Sequence, residues 1–171
     1  MAVWKRYNGK RIKGEGPKGK GIWIVEFRLR GHYIKQAIPE ARTKAEAEKV
    51  DSLILSSGKV YFELLARRRK AGKDNIALLR VEQLYPFPDL EIANELARYP
   101  NLKHVVWCQE ESKNQGAWTF VMERMLDIVK TPGMLRYVGP EATASTAPGY
   151  ASMHATRVES FLRAAIGDAR E

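Results

Sequence analysis

The chain has 171 residues, 44% of them apolar, with a net charge of +9 and a single cysteine. That is enough apolar material for one compact domain or two small ones, and it excludes wholesale disorder. Cys108 alone excludes an internal disulfide framework and fits a reducing compartment; no apolar run approaches the ~20 residues of a bilayer span, and no apolar stretch follows the basic N-terminus as in a secretory signal, so the expected location is the cytoplasm, away from membranes.

The charge is uneven. Residues 1–50 hold 13 Lys and Arg against 5 Glu, whereas residues 51–171 hold 16 against 15. This predicts two domains, a basic head at 1–50 and a neutral body at 51–171, fused from pieces of different origin. The seam falls near 48–53, where AEAEKVDS gives way to LILSSG without a Pro, Gly or Ser linker.

In the head, AVWKRY supplies a first strand, and GIWIVEFRLR alternates with period two between a purely apolar face and a mixed, basic one. Gly31 and His32 read as a two-residue turn, with YIKQAI as the returning strand. After Pro39, TKAEAEKV reads as a helix capped by Thr43, with Glu46 completing a capping box. The expected head is therefore α+β, a three-stranded sheet plus a helix. Between the first two strands, NGKRIKGEGPKGKG matches both G-x-G-x-x-G and G-x-x-x-x-G-K. Neither works as a phosphate cradle, because each needs a strand before it and a helix after it; here a strand follows, and Gly21 stands where a magnesium-binding hydroxyl belongs. A basic hairpin loop is the simpler reading.

A basic sheet can enter the major groove of duplex DNA, whose width admits a β-ribbon. Arg28, Arg30 and Lys35 would project from the sheet, and Lys10, Arg11, Lys13, Lys18 and Lys20 would reach phosphates from the loop. A solvated basic surface that binds nothing is the alternative. VWKRYNGKR, IWIVEFRLRGHYIKQ and EARTKAEAEKV resemble the N-terminal arm-site DNA-binding domain of phage-type tyrosine recombinases (integrases) across residues 3–50. The resemblance implies DNA binding without recombination, since the family's catalytic tyrosine and arginines belong to a domain this sequence does not match.

The body alternates strand and helix. LILSS, NIALLRVEQL, HVVWCQEE and LRYVG read as strands. Between them lie helices over KVYFELLARRRKAG (stripe Val60, Tyr61, Leu64, Leu65), after Asp89 (Leu90, Ala93, Leu96, Ala97) and from about Gly116 (Trp118, Val121, Met122, Met125, Val129); a last helix starts near Ser152 (Val158, Phe161, Leu162, Ala165). The pattern predicts an α/β body, a mostly parallel sheet of about four strands with helices on both faces.

Candidate chemistry is sparse. Ser57, Gly58 and Lys59 lie between a strand and a helix start, as an anion site or as an ordinary capped turn. His104 and Cys108 on one strand would stand about 13 Å apart, too far to share a metal. Glu110 and Glu111 end a strand, where clefts form in α/β sheets, but adjacent strand residues face opposite ways and make a poor acid–base pair. No catalytic residue, metal ligand set or cofactor site is expected in this chain.

SSGKVYFELLARRRKAGKDNIALLRVEQLYPFP, HVVWCQEESKNQGAW and LRYVGPEATASTAPGYASMH resemble the C-terminal domain of the decarboxylating first component of 2-oxoglutarate dehydrogenase, across residues 52–167. The resemblance implies a transketolase C-terminal-like fold in a thiamine-dependent, homodimeric family whose thiamine diphosphate and magnesium sit on other domains. It also implies an arginine where Pro140 follows Gly139. Carried onto this chain, Gln109, Glu110, Glu111, Asn114 and Gln115 become interface candidates, the partner being a second copy or a full-length dehydrogenase subunit. The expected function is that of a structural or dimerisation domain without turnover of its own. The alternative is a DNA-binding module that uses the body to dimerise.

Overall fold

The structure, a computed structural model, describes the backbone of residues 2–7, 10–13, 22–29, 32–37 and 44–167, with side chains from residue 45 onward. Four strands come first: β1 (Ala2–Tyr7), β2 (Lys10–Lys13), β3 (Ile22–Leu29) and β4 (His32–Ala37). They form an antiparallel sheet in the order β2-β1-β3-β4. This corrects the expected three-stranded sheet. Lys10–Lys13 folds back on β1, pairing Tyr7 with Lys10 and Trp4 with Lys13, and the sequence pair Asn8-Gly9 between them favours that kind of hairpin. His32 begins β4 and pairs with Leu29, so it belongs to the strand and not to the expected Gly31–His32 turn. Thr43, the expected helix cap, lies outside the described residues.

After α1 (Lys44–Lys49) come β5 (Ser52–Ser56), α2 (Val60–Ala71), β6 (Ile76–Arg80), α3 (Asp89–Leu96), β7 (His104–Cys108), α4 (Trp118–Ile128), β8 (Leu135–Val138) and α5 (Ala151–Ile166). The sheet order is β6-β5-β7-β8, and every pairing is parallel. The core strands are short apolar runs because both faces are covered. Leu53, Leu55, Leu79, Val105 and Trp107 pack on one face with Ile92 of α3 and with Val121 and Met125 of α4. Ile54, Leu78, Val106 and Cys108 pack on the other with Val60, Tyr61 and Leu64 of α2 and with Phe161 and Leu162 of α5. The chain runs from β5 outward to β6, then back across β5 to β7, so right-handed crossovers place α2 and α3 on opposite faces. That reversal puts a topological switch point between the carboxyl ends of β5 and β7.

Two helical stripes need correction. On α3 the buried residue is Ile92, with Leu96 and Tyr99 following it at helical spacing toward the core, whereas Leu90 is 69% exposed. On α4 Trp118, Val121, Met125 and the following Val129 are buried, but Met122 lies at the surface.

Candidate functional site

The connections at the carboxyl edge of the parallel sheet carry a dense set of polar side chains bonded to one another and to backbone. At the switch point, Gly58 takes a φ of 72°, a left-handed conformation natural to glycine, and starts the turn into α2. Its N–H donates to Glu82 Oε1 at 3.0 Å, and Glu82 is ion-paired with Arg80 at 2.6 Å. Lys59 Nζ is ion-paired with Glu110, and with Glu63 at 3.2 Å. The hydrogen bond that Lys59 donates to Glu110 dominates in raising its ammonium above the ordinary pKa, against a smaller opposing effect of burial. The three residues read as an anion site, Ser57, Gly58 and Lys59, are thus brought together, but the protein's own carboxylates occupy the Gly58 N–H and the Lys59 ammonium.

Beside this lies a denser cluster. Gln109, directly after β7, is only 3% exposed. Its Oε1 accepts from Trp107 Nε1 at 2.9 Å and from the Trp118 backbone N–H at 3.0 Å, so it caps the start of α4 from the strand. Its Nε2 donates to the carbonyls of Gln115 at 2.8 Å and of Glu111 and Ser112 at 3.2 Å. One amide therefore joins a core tryptophan, the connection after β7 and the first turn of a helix.

That connection is tied to the next one. Asn114 and Thr143 exchange two hydrogen bonds, Nδ2 to the Thr143 carbonyl and the Thr143 N–H to Oδ1, each at 3.0 Å. Gln115 Nε2 also donates to the Thr143 carbonyl at 3.2 Å. Tyr137 O–H donates to the Pro140 carbonyl at 2.9 Å, and the Lys113 N–H donates to the same oxygen at 3.0 Å. Burial pushes the Tyr137 phenol up to about 12. Gly139 has no room for a side chain, since a Cβ there would stand 2.8 Å from the Gln109 carbonyl oxygen and 2.5 Å from the Tyr137 hydroxyl.

Of the interface candidates, Gln109 is buried and Asn114 and Gln115 hold a neighbouring loop, while Glu110 is half-buried against Lys59 and Glu111 is exposed. The sequence reading passed over Ser112, Thr143 and Tyr137, which complete the cluster; the unbroken polar run from Gln109 to Gln115, ended by Gly116, is the signal that marks it. Burial pushes the Cys108 thiol up to about 12, which leaves it protonated and inert. Among the described residues, no three His, Cys, Asp or Glu side chains are placed to hold a metal ion, and no helix is long and apolar enough to cross a membrane. Of the DNA-binding candidates, Lys10, Arg11 and Lys13 lie in β2, Arg28 in β3 and Lys35 in β4, as backbone positions only; Lys18, Lys20 and Arg30 lie outside the described residues.

A family model described as "2-oxoglutarate dehydrogenase C-terminal" matches residues 24–166. The 2-oxoglutarate dehydrogenase E1 component of Azotobacter vinelandii is 51% identical over 124 residues, which are 71% of this chain and 13% of that protein. The E1 component of Coxiella burnetii is 44% identical over 135 residues, 78% of this chain and 14% of that protein. The chain thus spans about a seventh of the length of these relatives. A solved structure titled "Split gene transketolase, inactive beta4 tetramer" is 19% identical with a TM-score of 0.47, covering 70% of this chain and 39% of that one.

Proposed function

Because the chain belongs to the 2-oxoglutarate dehydrogenase C-terminal family, we propose that it works as an association domain: it pairs with a second copy of itself or with an E1 subunit, and it does not turn over substrate alone. The observation that carries this reading is the expenditure of the carboxyl edge. Gln109, Asn114, Gln115, Thr143 and Tyr137 bond to one another and to backbone, and Lys59 and Gly58 are filled by Glu110 and Glu82. Such an edge is a stiff, shaped surface, whereas a catalytic edge keeps donors and bases unspent for substrate. Exposed apolar side chains support the same reading, with Leu90 on α3 and Leu126 on α4, two helices packed against each other, 69% and 56% exposed.

The family is thiamine-dependent, with its cofactor site on other domains. The described residues do not fit thiamine diphosphate and magnesium. No carboxylate cluster is placed for the metal, and the turn at Gly58 and Lys59 that could face a diphosphate already holds carboxylates. The test is decarboxylation of 2-oxoglutarate by the purified chain with thiamine diphosphate and magnesium. No carbon dioxide above background is expected, and release by the chain alone overturns the reading.

A second reading rests on the concentration of 13 Lys and Arg in residues 1–50. In it, Lys10, Arg11, Lys13, Lys18, Lys20, Arg28, Arg30 and Lys35 bind duplex DNA, and the body supplies the dimer. About five phosphate contacts give a log–log salt slope of roughly −4 to −5. Anisotropy at two salt concentrations, with Lys10, Arg11 and Lys13 replaced together by Gln as the comparison, tests it. Salt-independent or undiminished binding counts against it.

A further inference from the structure

We infer that the groove between the connection after β8 and the first half of α5 is a binding site for a small phosphomonoester with an apolar body. The groove has a volume of about 620 Å³, within the range of ~300–1,000 Å³ of small-molecule sites. Ala147, Pro148 and Met153 give it an apolar wall, and Ser152, Thr156 and Ser160 of α5 line it, the Thr156 hydroxyl already bonded to the Ser152 carbonyl. Among the described residues, Arg157 is the only charged one that lines it.

Arg157 is held in place yet electrically unanswered. It is half-buried, and its one hydrogen bond runs from Nη2 to Ser112 Oγ at 3.4 Å, a long contact to a neutral group. No carboxylate pairs with it among the described residues, whereas Arg67, Arg80 and Arg98 each have one. Ser112 itself is buried, and the Gln109 amide fixes its carbonyl, so Arg157 rests against the stiffest part of the edge. The hydroxyls of Thr143 and Ser145 are spent on the carbonyls of Ser145 and Ala147, and that of Thr156 on the Ser152 carbonyl. The Ser160 hydroxyl, three residues on from Arg157 and so on the neighbouring turn, donates to no group among the described residues, whereas Ser152 lies about 12 Å further back along the helix and does not share the phosphate. A guanidinium fork with one hydroxyl on the neighbouring helical turn suits the oxygens of a phosphate, which accept several charge-assisted hydrogen bonds at once. The wall of Pro148 and Met153 accounts for an apolar body next to the phosphate. The groove borders the carboxyl edge through Thr143 and Ser112, whereas the exposed Leu90 and Leu126 lie on α3 and α4, which cover the opposite face of the sheet.

The test is titration of the full chain with phenyl phosphate, followed by calorimetry and by amide chemical shifts. Saturable binding is expected, with the shifts centred on Thr143, Ser145, Ser152 and Arg157. Arg157→Met, with an unchanged circular dichroism spectrum, weakens binding at least tenfold; Lys130→Met, at an exposed position just after α4, leaves it unchanged. Phenol and benzoate, which lack the phosphate, bind at least tenfold more weakly. Absence of saturation at roughly 10 mM phenyl phosphate, shifts centred elsewhere in the wild-type chain, or benzoate binding as tightly as phenyl phosphate overturns the inference.

Discussion

Replacing Gln109 by Leu removes the amide on which the carboxyl edge turns. The leucine fills a similar volume, so the packing cost is small, and the loss falls on polar groups stranded inside. Trp107 Nε1 is left without an acceptor beside a ring 1% exposed, and the Trp118 N–H loses its cap on a residue 8% exposed. The Gln115 carbonyl loses its 2.8 Å donor as well. A buried donor left unsatisfied costs about 1–3 kcal/mol, so the two indole and amide donors set a loss of roughly 3 kcal/mol. Against a total stability of about 5–15 kcal/mol this is a large fraction, and it lowers the melting temperature by roughly 10 °C. Urea unfolding followed by tryptophan fluorescence reads it directly, because Trp107 and Trp118 flank the site; the midpoint falls while the slope is unchanged. A loss below about 1 kcal/mol refutes the reasoning, because it would mean that water replaces the amide at no cost. Gln109→Glu is a sharper companion, keeping both accepted bonds while aiming carboxylate oxygen at three carbonyls, and it is expected to be destabilised as well.

Gly139→Ala forces a Cβ against the Gln109 carbonyl and the Tyr137 ring, and is expected to cost about 1–3 kcal/mol in the same urea assay; a neutral effect contradicts the close approach. The folded-state pKa of Lys59 stands above its ordinary 10.5, so the stabilisation from Glu110 and Glu63 is fully present below that pH and is lost as pH rises through the folded value. At this exposed position it amounts to a few tenths of a kcal/mol, screened by salt, so the stability difference between the wild type and Lys59→Met is small, shrinks in high salt and vanishes at strongly alkaline pH. Cys108 is fully buried with a thiol pushed up to about 12, so a thiol reagent at pH 8 leaves the native chain unlabelled and reacts in denaturing urea. Rapid labelling of the native chain contradicts its placement in the core.

The body's architecture was readable because its strands are apolar runs buried on both faces and its helices carry long amphipathic stripes. Leu53–Leu55 and Val105–Trp107 have no polar residue to obscure them. The misreadings have local causes. The second strand of the head is four residues rich in lysine and arginine, which hid its hairpin despite the Asn8-Gly9 signal. On α3, Leu90 suited a core stripe by composition, but the helix presents Ile92 instead. The site was less legible than the fold because its bonds are long-range. Asn114 meets Thr143 across 29 positions, Arg157 meets Ser112 across 45, and Lys59 in the turn after β5 reaches Glu110 beyond β7. Residue types at those positions advertise polarity, and only the folded sheet edge shows that they are spent on one another.

Sedimentation equilibrium of the chain, alone and mixed with a full-length E1 component of the family, tests the central claim of association most directly. The account predicts a particle of twice the 19.4 kDa chain mass on its own, or co-sedimentation with the E1 subunit, at micromolar concentrations. A monomer of 19.4 kDa that ignores the E1 component throughout that range contradicts it.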